Sequence, residues 1–164
     1  MLNRGKVFEQ NIRKSIPKCN NIFYYRLKDS ASSYYGGNEN LRFSQNNIAD
    51  AFLFYVGHYR TQLYILEYKN HKGKSLPLSC IKKNQLEGMI EANKNQDVVP
   101  MLVVFFQDIE KCYSLEIENV EKFINNNERK SIPIDYFEQY GVEIETIKLK
   151  TNYRYNIEKW LNNI

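Results

Sequence analysis

Cysteine is scarce in this chain. Cys19, Cys80 and Cys112 are the only three. An odd number excludes a fully paired disulfide framework, and no two stand at zinc-ligand spacing. Reduced thiols in a cytoplasmic protein are the expectation. Histidine is scarcer still, with only His58 and His71, and neither has the neighbours that nucleophilic catalysis needs. Four prolines and seven glycines are too few for a Pro- or Gly-rich linker, and no internal repeat is visible. No apolar run approaches the ~20 residues that cross a bilayer, so no membrane partner is expected. No apolar stretch follows Met1 to Lys6, so a secretory signal is not expected either. Neither sign of charge dominates: 23 basic and 19 acidic residues leave +4. That surplus permits a polyanionic partner without demanding one.

What is present is ordinary in amount. The 164 residues are 43% hydrophobic and 26% charged. That profile fits a single domain over 1–164, able to bury about two-thirds of its unfolded surface. Val7, Phe8 and Ile12 share one stripe of a helix from Gly5 to about Ser15, with Glu9 at its edge, and Pro17 bounds it. Ile22 to Leu27 is rich in strand formers. Residues 28–49 turn polar around Gly36-Gly37 and read as a long loop or variable excursion. Ala51–Tyr55, the turn Gly57–Arg60 and Leu63–Lys69 read as a hairpin. Ser79 is placed to cap a helix from Cys80 to Asn93, with Ile81, Met89 and Ile90 near one face. Val98–Phe106 reads as a central strand, with Pro100 acceptable only near its start. Tyr113–Ile117 alternates as another strand, and Asn119–Asn126 looks helical. Val142–Leu149 reads as one half-buried edge strand and Asn152–Asn162 as a closing helix. This succession predicts an α/β fold, a mixed β-sheet flanked by helices.

The hairpin brings chemistry together. Glu67 and Lys69 stand two apart on a strand, so their side chains leave the same face. If the turn is centred between His58 and Tyr59, Asp50 falls directly opposite Glu67, with Cβ atoms about 4.5–5.5 Å apart. Two carboxylates so close repel unless a cation lies between them, and Mg2+ suits two carboxylates plus water. A lysine beside such an ion can stabilise charge developing on a phosphate. Glu9 could complete the ligand set if the first helix packs over the hairpin's end. From spacing alone a second reading stays open: a solvated charge pair, Glu67 with Lys69 or Arg60.

Asp50 with Glu67-Tyr68-Lys69 resembles the D…(D/E)-x-K signature of restriction-endonuclease-like nucleases, although Ala49 stands where those usually have proline. More specifically, three blocks resemble RecU-type Holliday junction resolvases of Gram-positive bacteria and their phages. They are Asn3-Arg4-Gly5-Lys6-Val7-Phe8-Glu9, Asp50 with Glu67-Tyr68-Lys69-Asn70, and Ser75 to Leu86. A fourth, Arg129-Lys130-Ser131-Ile132-Pro133, is similar too. The resemblance implies a metal-dependent endonuclease of restriction-endonuclease-like fold. It implies a homodimer that resolves four-way DNA junctions by symmetric nicking in recombination and repair. It also implies an acidic set of Glu9, Asp50 and Glu67 holding Mg2+ (Mn2+ as a substitute), Lys69 as the catalytic lysine, and Gln85 as a supporting polar residue of the catalytic set. The chain departs from the pattern at 28–49. Relatives carry a long stalk there that enters the junction; here the excursion is shorter, and its text differs. That departure motivates two alternatives: a related nuclease acting on duplex or other branched DNA, or a DNA-binding protein without turnover.

Other residues are candidates for contact with nucleic acid. Lys72 and Lys74 follow the Glu67–Lys69 strand, and Lys82 precedes Gln85; phosphate contacts of this kind position the substrate rather than specify its sequence. Arg4 and Lys6 flank the start of the first helix, where anions are favoured. Tyr34 and Tyr35 in the excursion are candidates for stacking on unpaired bases.

Overall fold

The computed structural model describes residues 3–27 and 47–164. The first element, α1 (Arg4–Arg13), forms where the apolar stripe requires it. Asn3 caps it, its side-chain oxygen accepting the Gly5 N–H at 3.0 Å. Phe8, Asn11 and Ile12 are its buried residues. The Phe8 ring meets those of Tyr68, Phe105 and Tyr155, with centroids 5.8, 5.8 and 5.5 Å away. Burying one such ring contributes about 1.5–3 kcal/mol and fixes how α1 sits.

The strands β1 (Ile22–Arg26), β2 (Ala51–Val56) and β3 (Thr61–His71) follow as an antiparallel meander. The β2–β3 turn is centred between His58 and Tyr59, because Val56 pairs with Thr61 and Ala51 with Leu66. This is the register expected from the sequence. The short β4 (Ser75–Pro77), a 3-10 turn and α2 (Lys83–Ala92) lead to β5 (Val98–Phe106). β5 lies parallel to β3, and a parallel neighbour obliges the chain to cross over one face of the sheet. Pro100 is tolerated because antiparallel pairing of β5 with β6 (Lys111–Glu116) begins only at Met101. Next come α3 (Ile117–Asn126), β7 (Ser131–Pro133), α4 (Ile134–Tyr140) and β8 (Val142–Ile144). The chain ends with β9 (Thr146–Lys148), β10 (Tyr153–Tyr155) and α5 (Ile157–Asn163).

The main sheet has the order β1-β2-β3-β5-β6-β8. Strand alternation divides its side chains into two cores. Tyr64, Leu66 and Tyr68 of β3 join Phe8 and Ile12 of α1 and Trp160 and Leu161 of α5 on one face. Ile65 of β3 and Leu102, Val104 and Phe106 of β5 join Met89 of α2, Val120 of α3 and Phe137 of α4 on the other. Helices on both faces of a mixed sheet make this an α/β fold of restriction-endonuclease-like type, in one domain. Among the described residues no helix is long and apolar enough to cross a membrane. All three cysteines are free thiols.

The structure corrects several local expectations. Ser79 caps no long helix: residues 78–80 form the 3-10 turn, Ile81 is extended, and α2 starts at Lys83 after Lys82. Val142–Leu149 is not one edge strand. β8 belongs to the main sheet, whereas β9 turns away after Glu145 to pair with β10. The closing helix starts only at Ile157 because β10 takes Tyr153–Tyr155. The pair β4–β7, with Leu76 against Ile132, and helix α4 have no counterpart in the sequence reading.

Candidate active site

Asp50 stands one residue before β2. Its backbone N–H donates to the Leu66 carbonyl at 3.0 Å, and its Oδ2 accepts the Tyr68 N–H at 2.8 Å. The carboxylate therefore reaches across to β3, and continuing the register by one step sets Asp50 against Glu67. Glu67 and Lys69 leave the face of the sheet that α2 covers. The Lys69 ammonium contacts Glu67 Oε1 at 2.5 Å, with the Glu67 side chain 2% exposed and that of Lys69 17%. The open alternative from the sequence, a solvated pair, does not describe this carboxylate.

The second Glu67 oxygen is also engaged. Gln85 Nε2 donates to Oε2 at 2.9 Å. Gln85 is the third residue of α2, and its Oε1 accepts the Lys82 N–H at 3.4 Å, half of a capping box. With the amide oxygen turned to the helix start, the amide nitrogen faces the carboxylate. Gly88, one turn further along α2, lets the helix approach closely: a Cβ there would lie 2.4 Å from Cγ2 of Ile48. The helix that delivers Gln85 thus rests on the residues that lead into Asp50.

The electrostatics follow from burial. Removal from water, and next the Asp50 charge, push the Glu67 carboxyl up to about 7; Lys69 and Gln85 pull the other way. Burial of Glu67 and the nearby Asp50 charge outweigh the single ammonium of Lys69 at this carboxylate. A cation beside Asp50 and Glu67 would favour the ionised form of Glu67, and two carboxylates are donors of the right kind for a hard divalent ion. Among the described residues, however, no three His, Cys, Asp or Glu side chains converge as a ligand group.

Glu9 is engaged by a strand residue. Its Oε2 receives Arg26 Nη2 at 2.6 Å and Arg26 Nε at 2.7 Å. It remains within electrostatic reach. The Tyr24 and Tyr68 phenols, raised chiefly by burial, feel both the Glu9 and the Asp50 charges.

The candidate DNA contacts fall as follows. Arg4 donates to Gln107 Oε1 at 2.6 Å, and Lys6 is exposed on α1. Lys72 and Lys74 are exposed in the turn after β3, and Lys82 is exposed at the start of α2. Tyr34 and Tyr35 lie outside the described residues, as does most of the 28–49 excursion. Sequence reasoning missed Arg26 and Gln107. Arg26 pairs with Ala51 across β1–β2, a register that a long intervening segment hides. Gln107 follows β5 in a turn with no periodic pattern.

With the geometry in place, comparison with known proteins decides the family. The sequence matches the family described as RecU, Recombination protein U, over residues 3–161. The chain belongs to the RecU family. A relative in Bacillus subtilis (strain 168), the SPbeta prophage-derived uncharacterized protein YotM, is 32% identical over 172 residues, covering 96% of this chain and 84% of the relative. The Holliday junction resolvase RecU of Mycoplasmopsis pulmonis (strain UAB CTIP) is 28% identical over 143 residues, covering 87% of this chain and 85% of that one.

Proposed function

We propose that this RecU family member is a metal-dependent endonuclease that hydrolyses phosphodiester bonds in branched DNA. In this reading it resolves Holliday junctions by symmetric nicks during recombination and repair. The observation that carries the chemistry is the buried Glu67 carboxylate, raised by its burial and by Asp50 and held by Lys69 and Gln85. Membership of the family, and the function named for the Mycoplasmopsis relative, support the substrate.

Asp50 and Glu67 would hold Mg2+, or Mn2+ in its place, with Glu9, the one acidic residue of α1, as the third acid. Such an ion supplies a Lewis acid for the scissile phosphate and a bound water of lowered pKa. Lys69 contributes a positive charge beside the reacting phosphate, where charge accumulates as the bond is cut. Gln85 keeps the Glu67 carboxylate from rotating, so both of its oxygens stay in fixed directions. Arg4, Lys6, Lys72, Lys74 and Lys82 bind backbone phosphates. Lys72 and Lys74 follow within five residues of Lys69 in the chain, and Lys82 opens the helix that carries Gln85. A homodimer belongs to the same reading, because two sites related by a two-fold axis match a two-fold junction.

The test is a cleavage panel of synthetic four-way junction, flap, duplex and single-stranded DNA, with Mg2+ or with EDTA. The expected result is paired, symmetric nicks in the junction with Mg2+ only. Asp50→Asn and Lys69→Ala should abolish cutting while junction binding persists. Wild-type cleavage rates in either variant would reject the assignment, and preferential cutting of duplex would reject the junction as substrate.

A further inference from the structure

The D…E-x-K pattern uses Glu67, Tyr68 and Lys69 of β3 but gives the next residue, Asn70, no task. In the structure Asn70 is part of a closed ring. Arg4 Nη1 donates to Gln107 Oε1 at 2.6 Å, Gln107 Nε2 donates to Asn70 Oδ1 at 2.6 Å, and Asn70 Nδ2 donates to the Arg4 carbonyl at 3.0 Å. Each amide spends its oxygen once and its nitrogen once, so the ring closes in one sense only. Its members come from the first turn of α1, the residue after Lys69, and the residue after β5. The backbone of Gln107 is itself fixed, since its N–H donates to the His71 carbonyl at 2.9 Å.

Arg4 commits one of its five N–H groups to this ring. Its other four have no protein acceptor among the described residues. A guanidinium so held still presents a planar fork suited to a phosphate. An arginine free in solvent would have to be ordered when DNA arrives, and that ordering weakens binding. Here the ordering precedes the ligand, at the end of the strand that carries Lys69 but on the α1 side of the sheet, since Asn70 leaves the face opposite to that of Lys69.

We infer that Gln107 and Asn70 are positioning residues, which hold the Arg4 guanidinium beside the end of the strand that carries Lys69, where it grips a backbone phosphate of the DNA being cut. This rests on the reading of the chain as a DNA endonuclease. The ring deepens that reading by naming what aligns the DNA on the site.

The experiment uses the full chain and a fluorescein-labelled synthetic four-way junction. Binding is followed by anisotropy in EDTA over a salt series, and cleavage is followed separately with Mg2+ under single turnover. Wild type, Arg4→Ala, Gln107→Ala and the double variant are compared, each first checked for the wild-type circular dichroism spectrum and thermal midpoint. Arg4→Ala is expected to weaken binding roughly tenfold or more, the worth of a charge-assisted hydrogen bond. It should also lower the slope of log Kd against log salt by about one for each protomer bound to the junction. Gln107→Ala is expected to weaken binding roughly threefold, the ordering cost of one long side chain. In the Arg4→Ala background, Gln107→Ala should add nothing. Asn70→Ala provides a second break in the ring and should behave as Gln107→Ala does. Independent, multiplicative effects of Arg4→Ala and Gln107→Ala would overturn the proposal. So would wild-type binding by Gln107→Ala, or an unchanged salt slope in Arg4→Ala. Because binding is measured without metal, a wild-type protein that cuts no branched DNA would defeat the nuclease reading, while the coupling between Arg4 and Gln107 would still be decided.

Discussion

Replacing Glu67 by glutamine tests the electrostatic account most directly. The carboxyl ionises near 4.5 in an unfolded chain and near 7 in the folded, metal-free protein. The folded state therefore holds the proton more tightly. The stability this confers is complete below about pH 4.5 and is lost as pH rises through 7. At ~1.4 kcal/mol for each tenfold change, the loss amounts to roughly 3 kcal/mol. Glutamine cannot ionise, so Glu67→Gln escapes it. The amide has one oxygen for Lys69 and turns its NH2 towards the Gln85 Nε2 donor, a pH-independent offset in the same comparison. The expected result concerns slope: between pH 5 and pH 8 the stability difference moves in favour of the variant by up to about 3 kcal/mol. Urea unfolding in EDTA at several pH values measures it. Above pH 7, added Mg2+ should then stabilise the wild type and not the variant, because only an ionised Glu67 can take the ion. The same variant should be unable to cut DNA. Parallel stability curves for the two proteins between pH 5 and pH 8 would refute the reasoning, since they would mean that Glu67 titrates as an ordinary surface acid.

Three further outcomes are expected. Gly88→Ala gains up to about 1 kcal/mol of helix propensity but forces a Cβ against the β-branched Ile48 at 2.4 Å. Overpacking of about 1–3 kcal/mol should leave it less stable in urea, with cleavage reduced further because Asp50 follows Ile48 by two residues. Gln85→Leu removes a bond that lowers the Glu67 pKa; the acid limb of its cleavage–pH profile should move to higher pH, with the rate near pH 7 down roughly tenfold. Ser114→Ala deprives the buried Trp160 indole of its acceptor, now 2.8 Å away, and should cost about 1–3 kcal/mol of stability by urea titration without changing the pH profile of cleavage.

The hairpin and the central strand were legible in the sequence because each carries its own local signal. Ala51–Val56 and Thr61–His71 flank a short turn that sets their register, and Val98–Phe106 is a continuous apolar run. That register alone set Asp50 against Glu67. What escaped depends on partners far along the chain. The strands β4, β7, β8, β9 and β10 have three residues each, too few for a period to show. Alternation over 142–149 is real, yet the chain changes sheets after Glu145, and only the pairing with Tyr153–Tyr155 reveals it. The start of α2 was misplaced because Ser79 is a good cap by type, while the structure gives the role to a lysine whose N–H is met by Gln85. The pairing of Glu9 with Arg26 also escaped, because Arg26 sits on a strand whose pairing no local pattern discloses.

The parallel placement of β5 beside β3 also governs when the protein becomes able to act. A growing polypeptide released only through Asn93 already contains Asp50, Glu67, Lys69 and Gln85. It lacks β5, the strand against which Met89 seats the crossover helix, so only the contact of Gly88 with Ile48 is left to hold Gln85 on Glu67. Non-local strand pairing of this kind closes late. Truncated translation products therefore carry the reactive side chains without their alignment, and cutting begins only after the segment ending at Phe106 has been made and folded into place.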